Sequence, residues 1–384
     1  MNVPATALPS VHDLAAALAE RDSNSPLRTW CVDDSRTLRL FSRGSGALGA
    51  IADAASEVRG RPASVFVPDY FCNQALDVVR RSGHRLHFYP VDDKLEPLWP
   101  AIEKSLVRTG APDLFVMVHY FGFDFDARTA AEFSARQGAW LIEDAAHALR
   151  PTATIGAFGD ASVYCPWKLL PVPDGAVLCA RGAAATAMAS ATQGTIGGWA
   201  MAWVARRLTQ RVLCAARVPW TGSRYASFAD DPPPVPVQTS SMSRLANRLL
   251  ARTSIGLDAV SDARRANYRL FSDAIGMNGL LRPLFASLPP LVTPYVFPVL
   301  APADRAAESH AYLNRCGIPS QSWPDLPPEV LQHPEAHAGA IRIRRSLIAV
   351  PLHQGLAPSQ VSFVAAALDA VSRGRLGRSP RRAA

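Results

Sequence analysis

The sequence predicts an α/β protein, with a large domain on a mostly parallel sheet and a smaller C-terminal α/β domain after it. Three observations predict it. Strand-like and helix-like stretches alternate through the first half, the pattern of a parallel sheet with helices on both faces. The run Asp113–His119 (DLFVMVH) is almost continuously apolar, as a strand buried on both faces must be. After Gly182 the alternation stops, and shorter elements resume only from about Pro290.

The elements follow in order. Thr37–Phe41 reads as a short strand, and Arg43-Gly-Ser-Gly-Ala47 leads into a helix from Leu48 to Glu57. Ser64–Val67 is a β-rich run stopped at Pro68, where the backbone donor is lost. A helix over Asn73–Ser82 precedes a strand over Arg85–Tyr89. Asp126–Gln137 has helical spacing, and Ala139–Ile142 is a buried strand ending at Glu143-Asp144. Ala161–Tyr164 and Ala176–Cys179 complete the series. Asp230-Asp-Pro-Pro-Pro-Val-Pro is a stiff, linker-like stretch, followed by helices over about Met242–Leu270. The small unit has a strand over Pro294–Leu300 and a helix over Arg305–Asn314. Cys316-Gly-Ile-Pro turns into another strand, and a strand over Leu347–Val350 and a helix over Pro358–Val371 close the unit. The expected division is an arm over 1–36, a large domain over 37–255, a small domain over 256–372 and a basic tail over 373–384.

Composition narrows the class. Of 384 residues 48% are hydrophobic and 19% charged, enough for a sizeable core and unlike a disordered chain. The net charge is +8, but five arginines fall in the last twelve residues, so the basic character is that of a solvated chain end rather than a nucleic-acid surface. No basic segment with an apolar core opens the chain, so no signal peptide is read. Gly182–Ala205 carries no charge, yet its glycines and threonines argue against a membrane span. Trp199–Val212, with Arg206, Arg207 and Arg211, suits a membrane surface, an ordinary helix or a subunit contact, the last two being favoured. Six cysteines, widely spread and without a CxxC pair, argue against a metal site and fit reduced thiols in the cytoplasm.

In parallel sheets ligands bind beyond the carboxyl ends of the strands. Asp144 sits at such an end, in Leu141-Ile-Glu-Asp-Ala-Ala-His147. A carboxylate buried there needs a partner. A protonated ring nitrogen is one, the arrangement that pyridoxal phosphate (PLP) requires; a cap on a helix from Ala145 is the alternative. Lysine is scarce, three residues against 37 arginines. Lys94 lies in a polar turn and Lys104 on an exposed helix face, whereas Lys168 follows a strand in the apolar stretch Val163-Tyr-Cys-Pro-Trp-Lys-Leu-Leu. Partial desolvation there favours a neutral, nucleophilic amine; a snorkelling lysine is the bland alternative. Gly44, Ser45, Gly46 and Ala47 open a helix, where small residues let the backbone approach a phosphate. Gly44, Gly46 and Gly49 also satisfy G-x-G-x-x-G, which opens a second reading as a nicotinamide-dependent oxidoreductase, with Asp69 near the distance of its acidic residue.

These residues together resemble the sugar-nucleotide aminotransferases of the DegT/StrS type, within PLP fold type I. The resemblance covers about residues 38–370. Glu143-Asp-Ala-Ala-His-Ala resembles the family's strand-end motif, and Ile155-Gly-Ala-Phe-Gly-Asp, Lys168 and Asp174-Gly its cofactor-lysine segment. Phe66-Val-Pro-Asp-Tyr-Phe-Cys, Val118-His-Tyr-Phe-Gly, Arg265-Ala-Asn-Tyr, Gly317-Ile-Pro and Val350-Pro-Leu-His353 follow in the family's order. The sequence departs from the family in three places. Tyr164-Cys165-Pro166-Trp167 stands where a serine-phenylalanine pair is usual, which puts the weakly donating Cys165 thiol in the serine's place. The glycine pair after the lysine is Gly175-Ala176, and Gln238-Thr-Ser-Ser-Met-Ser replaces an asparagine-and-arginine loop.

The resemblance implies PLP carried on Lys168 as a Schiff base and Asp144 on the pyridine nitrogen. It implies His147 beside the ring, oriented to Asp144 or the ring oxygen, with a satisfied core histidine as the alternative. Gly44, Ser45, Gly46, Ala47 and Cys165 would surround the phosphate, and Tyr70 or Phe71 would stack on the ring. His353 and Trp323 are substrate-side or packing residues. Glutamate is the implied amino donor and a keto sugar, often nucleotide-linked, the acceptor, in polysaccharide or secondary-metabolite synthesis by a cytoplasmic homodimer. A PLP-fold protein with another amine substrate, or with lapsed activity, is the alternative within the same fold.

Overall fold

A computed structural model describes residues 3–20, 27–188, 198–216, 228, 241–276 and 279–376. The proline-rich stretch at 230–236, most of the uncharged stretch before residue 198 and the tail from 377 lie outside the described residues.

The chain opens with α1 (Val11–Ala19), capped by the Ser10 hydroxyl, which accepts the Asp13 N–H. The large sheet then assembles by alternation: β1 (Thr37–Phe41), α2 (Gly44–Arg59), β2 (Ser64–Pro68), α3 (Asn73–Arg81), β3 (Arg85–Tyr89), α4 (Trp99–Thr109), β4 (Leu114–Val118), α5 (Ala127–Gln137), β5 (Trp140–Ala145), β6 (Ala161–Tyr164) and β7 (Ala176–Ala180). Its seven strands run in the order β1-β7-β6-β5-β4-β2-β3. Only β7 is antiparallel to its neighbours, β6 and β1. Every residue of β2 and β4 is buried, which is why their sequences are apolar without alternation.

The second half continues with α6 (Gly182–Ala187), α7 (Gly198–Ala215), α8 (Arg244–Thr253), α9 (Leu257–Ile275), β8 (Arg282–Pro283), β9 (Phe297–Leu300), α10 (Ala303–Arg315), α11 (Pro328–Leu331), α12 (Ala338–Ser346), β10 (Leu347–Val350) and α13 (Pro358–Ser372). Its sheet is antiparallel, in the order β10-β9-β8. No described helix is long and apolar enough to cross a membrane.

Several expectations change. The turn at Cys316 leads to no strand: Pro319 and Pro324 interrupt it, and Gln321 makes only an isolated bridge to Ala349. β5 continues through Asp144, which pairs with Val118 and Val163, and no helix starts at Ala145. The helix-cap reading of Asp144 therefore gives way. The dinucleotide reading is also overturned. β1 is an edge strand separated from β2 in the sheet. Asp69 is fully buried, bonded to His337 (2.9 Å) and to the Val91 N–H (3.2 Å), so it cannot face a ribose. The cysteines are not all reduced, for Cys31 and Cys179 form a disulfide. A separation of 148 residues hid that pair from spacing arguments.

Candidate active site

A cavity of about 470 Å³ opens beyond the carboxyl ends of β4, β5 and β6, at the start of α2. Residues 321–324, from the second half of the chain, form its other wall. Lys168, Asp144 and His147 all line it.

Lys168 ends a single helical turn, Pro166–Lys168, directly after β6. Pro166 starts the turn and the Lys168 N–H closes it on the Cys165 carbonyl (3.0 Å). The next carbonyl, of Leu169, is held from the second half of the chain. It accepts from Arg264 Nη2 (3.0 Å) and Gln354 Nε2 (3.1 Å). Arg264 is 2% exposed, and burial lowers its pKa to about 10. The charge of Lys168 reaches Asp144, His147, Cys72 and Cys165.

Asp144 accepts the Ala146 N–H (3.0 Å) and otherwise faces the cavity. Burial pushes its pKa up, and Lys168 opposes this. A second cation brought to this carboxylate is the natural way to keep it ionised. His147 is held well below the usual histidine range, by burial first and then by Lys168, so its ring is neutral. Its Nδ1 accepts the Phe121 N–H (3.1 Å), which leaves the proton on Nε2 as a donor. The ring stacks on Tyr295 at 4.8 Å.

Glu143 was passed over in the sequence as the neighbour of Asp144. It is fully buried and accepts His119 Nε2 (2.9 Å) and the N–H groups of Gly156 (2.7 Å), Phe158 (2.8 Å) and Gly159 (2.5 Å). It thereby fixes the loop that feeds β6 and Lys168. Alternating sides of β5 thus carry two carboxylates with different work, Glu143 to the loop and Asp144 to the cavity.

At the start of α2 the cavity is lined by Gly44 and Ser45. Gly46 and Ala47 do not line it, and their N–H groups bond the Arg43 carbonyl in the first helical turn. Of the four residues expected around a phosphate, Gly44 and Ser45 are therefore the two that reach the cavity. Cys165 packs on Gly44, where a Cβ would meet its Sγ at 2.8 Å. Burial pushes that thiol up to about 11, so it stays neutral. Tyr70 and Phe71 separate: Phe71 lines the cavity, while Tyr70 is fully buried and packs against Trp323 in a tilted contact, ring centroids 4.5 Å apart. Trp323 itself lines the cavity. His353 does not, and bonds the Pro4 carbonyl (2.8 Å) as a packing residue.

The set suits a ligand with a basic ring nitrogen, a carbonyl carbon and an anionic tail, for which Asp144, Lys168 and the start of α2 are the matching groups. Residues 44–191 match the DegT/DnrJ/EryC1/StrS aminotransferase family. No curated protein matches the chain in sequence. Among solved structures it is similar to the aminotransferase TlmJ from Streptoalloteichus hindustanus, with 20% identity and a TM-score of 0.70 over 96% of this chain and 98% of that one. It is similar to PseC of Helicobacter pylori, an aminotransferase involved in the biosynthesis of pseudoaminic acid, with 13% identity and a TM-score of 0.68 over 96% and 98%. It is also similar to NtdA of Bacillus subtilis, solved with bound cofactor PMP, with 14% identity and a TM-score of 0.69 over 96% and 84%. At such identities the likeness establishes the fold, that of the PLP-dependent aminotransferases. The segment that matches the family model carries Lys168, Asp144 and His147.

Proposed function

We propose that the chain is a PLP-dependent aminotransferase that moves an amino group from glutamate to a keto sugar, often nucleotide-linked, in polysaccharide or secondary-metabolite synthesis. The observation that carries the reading is the meeting of Lys168, Asp144 and His147 in one cavity, with the start of α2 in the same wall. PLP, when bound, supplies the electron sink that stabilises negative charge on the substrate carbon.

The chain's residues supply the rest. Asp144 would face the ring nitrogen of bound PLP and favour its protonated form, and burial would strengthen that pairing. His147 presents its Nε2–H as a neutral donor, the form in which it orients a group without competing for its charge. Lys168 would hold the cofactor and, once its amine is free, would move the proton from the substrate carbon to the cofactor carbon. Arg264 and Gln354 position Lys168 through the Leu169 carbonyl. Phe71, Tyr120, Phe121 and Tyr295 line the cavity and exclude water.

The same reading takes the enzyme to be a cytoplasmic homodimer. Met201, Leu208 and Val212 are 46%, 38% and 66% exposed along one side of α7, which supports burial against a second copy. A large domain up to residue 255 and a small one from 256 belong to the reading as well.

The decisive experiment is borohydride reduction of the protein loaded with PLP, followed by peptide mapping. The label is expected on Lys168 and on neither Lys94 nor Lys104. A label on another lysine, or none, overturns the assignment.

A further inference from the structure

We propose that Arg43 is the residue that binds the phosphate of the cofactor, so that the charge opposing this dianion comes from within the same chain. The proposal rests on the reading of the cavity as a PLP site.

Arg43 occupies the N-cap position of α2 in an extended conformation (φ −142°, ψ 154°) but makes no side-chain cap there. Its guanidinium instead lies over the ring of Trp167, 4.3 Å from the centroid. Trp167 immediately precedes Lys168, so the stack ties the cation to the turn that carries the amine. Arg43, Gly44, Ser45 and Trp167 all line the cavity. Among the described residues that line it, Arg43 and Lys168 are the arginine and the lysine. Lys168 is committed to the carbonyl carbon.

A phosphate monoester carries about 1.5 to 2 negative charges at neutral pH. A helix N-terminus offers roughly half a positive charge. The start of α2 is therefore too weak by itself, and Cys165 adds a neutral thiol. A guanidinium supplies both the missing charge and a planar pair of donors. The carboxylate of Asp174 supports the charge on Arg43. Its oxygens accept the Ser243 N–H (2.9 Å) and Oγ–H (2.6 Å). Burial pushes the Arg43 pKa down while Asp174 and Cys165 oppose it, and an arriving dianion reinforces the charged form.

The test compares PLP with pyridoxal, which lacks the phosphate. The full chain is stripped of cofactor and titrated with each, binding being read from absorbance and fluorescence. Wild type is expected to prefer PLP. Arg43→Met should lose on the order of tenfold to a hundredfold in PLP affinity, the worth of a charge-assisted hydrogen bond, while binding pyridoxal as before. Arg43→Lys should recover part of the preference. Equal losses for both compounds, or an unchanged preference in Arg43→Met, overturn the proposal and leave Arg43 as packing for Trp167. If Arg43→Met binds neither compound, Arg43→Lys decides: reduced preference with intact pyridoxal binding supports the role, and any other result overturns it. Wild type that binds neither compound overturns the reading of the cavity itself.

Discussion

Glu143 lies fully buried beneath the loop that delivers Lys168; it accepts three amides of that loop and, as a fourth bond, His119 Nε2. Burial alone pushes its pKa up, but His119 and the amides of Gly159 and Gly156 outweigh burial and hold it below the ordinary 4.5. A carboxyl held low in the folded state stabilises the protein above its unfolded pKa. That contribution is lost as the pH falls through the lowered value. Glu143→Gln replaces one acceptor oxygen by an amide that must face donors. It should cost about 3–5 kcal/mol near neutral pH, the scale for breaking a buried charged network. The gap between the two proteins should shrink in acid, where wild type also loses the charge. Thermal unfolding midpoints of both proteins across the pH range give the measurement. A gap that stays constant from neutral pH into acid would show that the cost comes from the misplaced amide donors and not from the charge of Glu143.

At the scale of elements, the position of α2 decides where an anion can sit, and its packing on α3 sets that position. Gly49 makes the approach possible: a Cβ there would lie 2.2 Å from Val78 Cγ1. Gly49→Ala should therefore cost about 1–3 kcal/mol by overpacking. Val78→Ala in the same protein should relieve the clash, so the double variant is less destabilised than the sum of the singles by at least about 0.5 kcal/mol. Denaturant titrations of the four proteins test this, and strict additivity would mean that the helices do not meet through these residues. The elements themselves were largely legible in the sequence. β2, β4 and β10 declare themselves by apolar runs, and α5 by its spacing and its capping Asp126. That Lys168 and Asp144 would meet in one cavity was legible because an amine and a carboxylate after buried strands are costly without a partner. Other features depend on contacts that no local pattern carries. The bonds of Arg264 and Gln354 to Leu169 span 95 and 185 residues. Tyr70 and Phe71 are adjacent aromatics, and only tertiary packing sends one to the core and one to the cavity. The two-residue β8 is too short to show a period.

Across the whole molecule the N-terminal arm works as a strap. The Val3 N–H reaches the Gly317 carbonyl (3.2 Å), and Pro4 and Pro9 carbonyls accept from His353 (2.8 Å) and Arg211 (2.9 Å). Burial pushes His353 down to about 3, so this contact involves a neutral ring and does not titrate near neutral pH. Trp30, fully buried, donates to the Leu149 carbonyl (2.9 Å), and the next residue, Cys31, is bonded to Cys179 in β7. Closing a loop of 148 residues restricts the unfolded chain strongly, and a bond of this kind contributes about 2–5 kcal/mol. Neither cysteine lines the cavity. Reduction should therefore lower the thermal midpoint while leaving PLP absorbance unchanged at moderate temperature, and Cys31→Ser should lose the response to reductant. Alkylation and intact-mass measurement of the protein as isolated provide the control, with Cys31 and Cys179 expected to be protected from the alkylating agent. Two freely alkylated thiols at these positions, or a midpoint indifferent to reductant, would show that the arm is held by packing and hydrogen bonds alone. The same measurement on protein drawn from cells bears on location, because a reducing cytoplasm keeps such a pair as thiols.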